Sequence, residues 1–270
     1  MIYQVIPLKV NHQEVDLTTY VLDNSKEIDL NRRRPAIIIC PGGGYEFLSE
    51  REAEPIAIKM LSYGFQAFVL NYSVKPNVYP QALEELASAV KLVRENAEKW
   101  HVHPDKIIVA GFSAGGHLAA SLGVFWQQEF LKERLKDENT KWQPNGLLLS
   151  YPVISSGEFG HQGSFEALLS QDYENAKETL SLEKKVTKHT PPTFLWHTLE
   201  DGLVPMENSL LFSQALRKQG VPFELHLFPN GGHGLGLATQ ETAAGGNYGI
   251  QEEVSVWPEL FAKWAQVNFK

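Results

Sequence analysis

The chain has 270 residues, 43% of them apolar and 21% charged, with a formal net charge of -8. That length buries a substantial core, as one large α/β domain or two small ones, and the acidic balance argues against nucleic acid or an anionic membrane surface as a partner. No apolar run reaches bilayer length, Met1 to Pro7 lack the basic and apolar regions of a signal peptide, and the lone Cys40 has no intrachain partner, so a cytoplasmic protein is expected.

Residues 2–10 and 15–22 read as an antiparallel strand pair joined near Asn11-His12. The polar stretch that follows ends in Arg32-Arg33-Arg34, read as a solvated loop before a buried strand. Ala36 to Cys40 is a continuous apolar run, typical of a strand covered on both faces. A helix is expected at about 51–63, a strand at 66–70, and a long helix at about 80–99 with Leu83, Leu86, Ala87, Val90 and Val93 at helical spacing. Strand 106–110 leads into helix-forming residues 116–122. Strands at 146–150, 193–197 and 223–228 follow, with helices at about 207–219 and 253–268. Alternation of this kind specifies a single α/β domain over 1–270, built on a mostly parallel eight-stranded sheet with helices on both faces. Residues 125–143 and 154–190 break the pattern. Both leave from the C-terminal ends of elements, where open α/β sheets place ligand sites, and 154–190 is expected to form a short cap.

Gly111-Phe112-Ser113-Ala114-Gly115 sits between the apolar strand 106–110 and a helix. In that context Gly-x-Ser-x-Gly reads as a nucleophile elbow. A serine on so sharp a turn needs small flanking residues, and the helix that follows offers amide donors to a developing oxyanion. Serine is a poor nucleophile at neutral pH and needs a base, which itself needs an orienting group. His233, in Asn230-Gly231-Gly232-His233-Gly234 just after the last strand, is the best-placed base. His117, one turn beyond Ser113, reads as packed beside the elbow, and His197 and His226 as core or edge residues of strands. His101-x-His103 has ligand-like spacing but no third ligand nearby, so neither a metal nor any other cofactor is expected. The acid should follow strand 193–197, where Asp201 is preferred over the adjacent Glu200. The order Ser, Asp, His is that of one particular hydrolase architecture. One oxyanion donor should be the Ala114 amide; the other should come from Pro41-Gly42-Gly43-Gly44-Tyr45, where three glycines let the backbone approach closely.

With these motifs the chain resembles an α/β-hydrolase of the esterase/lipase superfamily over nearly its whole length. Gly42-Gly43-Gly44-Tyr45 is similar to the HGGG-type oxyanion loop, residues 111–118 to the elbow, and Asp201-x-x-Val204-Pro205 to the acid loop. The narrower resemblance is to small bacterial esterases that include acetylxylan esterases and related carbohydrate deacetylases, through Tyr151-Pro152-Val153-Ile154, His161-x-Gly163-Ser164, residues 190–197 and Gly231-Gly232-His233-Gly234. The resemblance implies catalytic roles for Ser113, Asp201 and His233, and an oxyanion hole from the amides of Gly43, Gly44 and Ala114. Pro41 departs from the pattern, standing where it has histidine. Tyr45, His161 and Ser164 are the expected substrate contacts, His161 and Ser164 because polar residues 155–164 suit a sugar hydroxyl better than an acyl chain. The implied partner is a small-molecule ester, with acetylated sugars or xylo-oligosaccharides the specific expectation. Other readings are a lipase, formamidase or peptidase of the same fold, or a hydrolase-fold binding protein without catalysis. The sequence sets no oligomeric state.

Overall fold

The computed structural model describes residues 1–137 and 139–269. Eight strands form one sheet: β1 (Ile2–Val10), β2 (Gln13–Val21), β3 (Arg34–Cys40), β4 (Gln66–Asn71), β5 (Val102–Phe112), β6 (Gly146–Ser150), β7 (Thr193–Thr198) and β8 (Phe223–Phe228). Their order is β1-β2-β4-β3-β5-β6-β7-β8. The first two pairings, β1 with β2 and β2 with β4, are antiparallel; β4 to β8 are parallel. The apolar runs explain the middle. Residues 36–40, 107–110 and 147–149 are almost entirely buried, as strands covered on both faces must be.

The helices are α1 (Glu54–Ser62), α2 (Gln81–Glu95), α3 (Ala114–Phe125), α4 (Glu129–Leu135), α5 (Gln162–Leu169), α6 (Tyr173–Ala176), α7 (Glu207–Lys218) and α8 (Trp257–Asn268). Every residue of α3 is buried. Its small residues permit this: Gly115 lies against the backbone of Cys40 and Pro41, and Gly116 against Pro152, with no room for a side chain. The sheet's two faces carry separate apolar clusters. One includes Phe68, Leu86, Val90, Leu118 and Leu122; the other includes Phe112, Tyr151, Trp196, Trp257 and Phe261.

Several boundaries differ from expectation. The helix expected at 51–63 is a 3-10 turn over Glu50–Glu52 followed by α1, with Pro55 in the first turn, where its missing amide costs nothing. The last helix likewise starts at Trp257, with Pro258 in its first turn, rather than at 253. Strand β5 runs from 102 to 112, with a register break opposite Arg34 and Ala36. Arg34 is not solvated loop. It opens β3, is buried, and donates from Nη1 to Asn24 Oδ1 at 2.6 Å.

Segment 154–190 forms α5, α6 and short 3-10 turns. Phe165, Leu169, Leu180 and Leu182 enter the main apolar cluster, so the segment is built into the flank of the domain. Asn208 on α7 fastens its start, accepting the amides of Ile154 and Ser155, both at 2.9 Å.

Candidate active site

Strand β5 delivers Ser113 to the C-terminal edge of the sheet. The residue has φ 53° and ψ -119°, with α3 beginning at the next position. A non-glycine residue with positive φ costs on the order of 1–3 kcal/mol and persists only where its surroundings enforce it. Here they do. A Cβ on Gly111 would meet the Gly115 carbonyl oxygen at 2.1 Å, and one on Gly115 would meet the Cys40 carbonyl oxygen at 2.1 Å. The two glycines around the serine are therefore required by contact between β5, α3 and β3.

Ser113 Oγ lies 2.7 Å from His233 Nε2, and His233 Nδ1 lies 2.7 Å from Asp201 Oδ2. A carboxylate can only accept, so Nδ1 carries the proton and Nε2 faces the serine hydroxyl as acceptor. Asp201 follows β7 and His233 follows β8, so the ends of three parallel strands supply the set. The side chain of Asp201 is fully buried. Its Oδ1 accepts the amides of Leu203 at 3.0 Å and Val204 at 2.9 Å. Burial works to raise its pKa, but hydrogen bonds from His197 and His233 outweigh that and hold it well below the usual carboxylate range. Glu200, the neighbouring carboxylate, takes a different position and accepts the Gly231 amide through Oε2 at 3.0 Å.

Gly43 and Gly44 line the cleft beside Ser113. Their φ values are 129° and 66°. Among the described residues, the amides of Gly43, Gly44 and Ala114 have no hydrogen-bond partner. Ala114 is fully buried, and a buried amide without a partner is uncommon enough to need a reason. The Gly42 amide is occupied, donating to Glu52 Oε2 at 2.8 Å.

The cleft has a volume of about 790 Å³ and is also lined by Glu46, Phe47, His161, Leu203 and Tyr248. The three expected substrate contacts fare differently. Tyr45 is not on the cleft wall. Its side chain is buried, and its hydroxyl lies 3.0 Å from His117 Nδ1. With φ 61° after the glycine turn and the His117 ring available beneath, the phenol packs inward. Ser164 is buried too, and its amide and hydroxyl both meet His161 Nδ1, at 3.3 and 2.8 Å. Only His161 faces the cleft. Burial, and then the nearby His233, lowers its pKa.

His117 and His103 have structural partners. His117 Nε2 donates to the Leu180 carbonyl at 3.0 Å, and burial pushes its pKa down to about 4. His103 Nδ1 accepts the Asp105 amide at 3.3 Å. Among the described residues, no three His, Cys, Asp or Glu side chains are gathered to hold a metal ion, and no helix is long and apolar enough to cross a membrane.

Local sequence assigns no role at the site to three further residues. Tyr248 donates its hydroxyl to the His233 carbonyl at 2.7 Å. Arg51 donates from Nη1 to the Gly234 carbonyl at 2.8 Å. The Tyr151 ring stands edge-on to the His233 ring with centroids 5.1 Å apart. Arg51 and Tyr151 come from distant parts of the chain and Tyr248 from the loop beyond His233, and spacing alone reveals none of these contacts.

The BD-FAE family model matches residues 22–216. Among curated proteins, endo-1,4-beta-xylanase B of Butyrivibrio fibrisolvens is 37% identical over 233 residues, covering 82% of this chain and 36% of the relative. An acetylxylan esterase of Xylanibacter ruminicola is 31% identical over 211 residues, covering 76% of this chain and 42% of the relative. The chain thus spans well under half the length of these two relatives. Among solved structures, the acetyl ester-xyloside bifunctional hydrolase of Caldicellulosiruptor lactoaceticus superposes with a TM-score of 0.84 at 40% identity, covering 98% of this chain and 96% of that one.

Proposed function

The chain belongs to the BD-FAE family of α/β-hydrolases, and from that premise we propose that it is a serine carboxylic-ester hydrolase acting on short acyl esters, with acetylated sugars or xylo-oligosaccharides as its substrates. The observation that carries the reading is the contact pair at the cleft, Ser113 Oγ to His233 Nε2 and His233 Nδ1 to Asp201 Oδ2, both at 2.7 Å.

Ser113 Oγ attacks the ester carbonyl carbon while His233 Nε2 takes the hydroxyl proton. Asp201 keeps the imidazole in the tautomer that has Nε2 free, and stabilises the imidazolium that forms. The unpartnered amides of Ala114 and of Gly43 or Gly44 receive the oxyanion. Collapse of the tetrahedral species breaks the bond to the alcohol oxygen, which leaves with the proton from Nε2. Water, deprotonated by His233, adds to the acyl carbon; collapse then breaks the bond to Ser113 Oγ, which takes the proton back from Nε2 as the carboxylic acid leaves. All these groups belong to this chain, and no cofactor enters the scheme.

The sugar reading rests on two supports. Relatives with similar sequence or structure are named acetylxylan esterase, xylanase B and acetyl ester-xyloside hydrolase. The cleft also offers a fixed donor. Because the Ser164 amide donates to His161 Nδ1, the neutral ring carries its proton on Nε2, which is left for a substrate oxygen. A fluorophosphonate probe should label Ser113 alone, and Ser113→Ala should lower kcat by about four orders of magnitude or more. Folded Ser113→Ala protein that still turned over esters would overturn the mechanism.

A further inference from the structure

Glu52 lies in the 3-10 turn 50–52 and lines the cleft, with 2% of its surface exposed. The proposed chemical steps make no use of it. A buried carboxylate is costly unless its oxygens are satisfied, and negative charge close to an oxyanion site opposes the charge that develops there. Its place in the site therefore calls for a compensating role.

Both of its oxygens accept hydrogen bonds from elements that carry the reacting groups. Oε2 accepts the amide of Gly42, the first glycine of the oxyanion turn, at 2.8 Å. Oε1 accepts the Tyr151 hydroxyl at 2.6 Å. That hydroxyl in turn accepts the amide of Gly236, in the loop after His233, at 3.0 Å. The result is one continuous chain: Gly42 amide, Glu52 carboxylate, Tyr151 hydroxyl, Gly236 amide. The adjacent Arg51 grips the same loop at the Gly234 carbonyl. Gly42 has the only side chain that fits, since a Cβ there would meet Glu52 Oε2 at 2.6 Å and Ser113 Cβ at 2.9 Å.

We propose that Glu52 is a positioning residue: through Tyr151, its carboxylate fastens the oxyanion turn and the His233 loop into one frame, so that the oxyanion donors and the base keep a fixed distance from Ser113. The rate consequence rests on the hydrolase reading; the frame itself does not.

The test uses Glu52→Gln, Tyr151→Phe and the double variant. Hydrogen–deuterium exchange reads the frame directly. Each single variant should speed exchange in both segments, 41–44 and 231–236, because either one cuts the chain between them. In ester turnover, kcat per fluorophosphonate-titrated site should fall by about tenfold to a hundredfold while KM stays within about threefold, as expected for misplaced reacting groups. The double variant should be worse than the poorer single by less than about twofold, since both substitutions break one chain. Exchange that rises only beside the substituted residue would overturn the proposal. So would kcat per titrated site unchanged within about twofold, which marks a purely structural role. Where Glu52→Gln fails to fold, Tyr151→Phe, which loses one oxygen, decides alone. A wild-type chain inert toward every ester would sink the hydrolase reading, and the exchange pattern would still decide the frame.

Discussion

His197 Nε2 lies 3.2 Å from Asp201 Oδ2, the same oxygen that holds His233 Nδ1. Nε2 also lies 2.9 Å from the Val204 carbonyl, which can only accept, so His197 carries its proton there; its Nδ1 faces Ser209 Oγ at 2.8 Å. Asp201 is thus held by four donors: two amides, a fully buried imidazole and the His233 ring. Removing the buried donor should loosen the carboxylate that orients His233. His197→Leu is expected to lower kcat/KM by about tenfold to a hundredfold. His197→Gln, which can still donate, should recover most of the loss. Both are read from ester turnover on folded protein. Equal activity of His197→Leu and wild type would show that the two amides and His233 suffice.

The parts of the site that local sequence specifies were legible, and the parts that distant packing specifies were not. Apolar run length located the strands, and two glycines around a serine marked a turn too tight for side chains; the contacts of Gly111 and Gly115 give the reason. The strands that precede them point to Asp201 and His233, and the structure brings both side chains to Ser113. Glu52 offered no signal, because Tyr151 is 99 residues away and only folding brings the pair together. Tyr45 turns away from the cleft for a related reason. Its side-chain direction is set by positive φ and by the buried His117, neither of which spacing encodes. The polarity of 155–164 points to Ser164 as a substrate contact, but at the start of α5 its nearest polar partner is His161.

The three glycines of the oxyanion turn should differ in tolerance. A Cβ on Gly43 would meet the Phe47 carbonyl oxygen at 2.0 Å, at φ 129°. At Gly44 the nearest atom is Ser164 Oγ at 3.9 Å, and φ is 66°, in the left-handed region that alanine enters at a cost of roughly 1–2 kcal/mol. Gly43→Ala should therefore displace the turn and cost at least about a hundredfold in kcat/KM. Gly44→Ala should lose some stability and keep kcat/KM within about fivefold. Thermal melts and ester turnover on the two variants provide the check. A Gly44→Ala protein as damaged as Gly43→Ala would mean that steric space does not govern this turn.

His117 should make the fold sensitive to acid. Burial holds its pKa at about 4, against an ordinary value of 6.5. Between these values the unfolded chain binds more protons than the folded one, so acidification favours unfolding. This contribution is fully present above pH 6.5, is lost as pH falls, and is gone below about 4. The shift corresponds to about 3 kcal/mol at that limit. His117→Gln can keep a donor for the Leu180 carbonyl and an acceptor for Tyr45. It should be less stable at neutral pH yet show a flatter fall in stability between pH 6.5 and 4. Denaturant melts across that range would record it, and an unchanged slope would remove His117 as the cause.

The cleft should favour short acyl groups. Going from acetate to octanoate adds six methylenes, which would contribute about 5 kcal/mol if all were enclosed in apolar surroundings. The cleft instead places Glu46, Glu50, Arg51, Glu52 and His161 around Ser113, and of its apolar side chains only Leu48 is half-buried, while Phe47, Leu203 and Tyr248 are 62%, 54% and 47% exposed. Such exposed surface gives an octanoyl chain little enclosure, while the charged lining costs desolvation when the chain lies against it. We expect kcat/KM on p-nitrophenyl acetate to exceed that on the octanoate by at least about tenfold, and acetylated xylose or xylobiose to release acetate. His161→Phe, which removes the free Nε2 donor, should slow the sugar ester more than the aryl ester, because only the sugar offers hydroxyl oxygens near the acyl group. The measurements are acetate release and a chain-length series below micelle formation. A rate that climbs to octanoate, with no acetate from any acetylated sugar, would leave the serine mechanism standing and remove the carbohydrate-esterase reading.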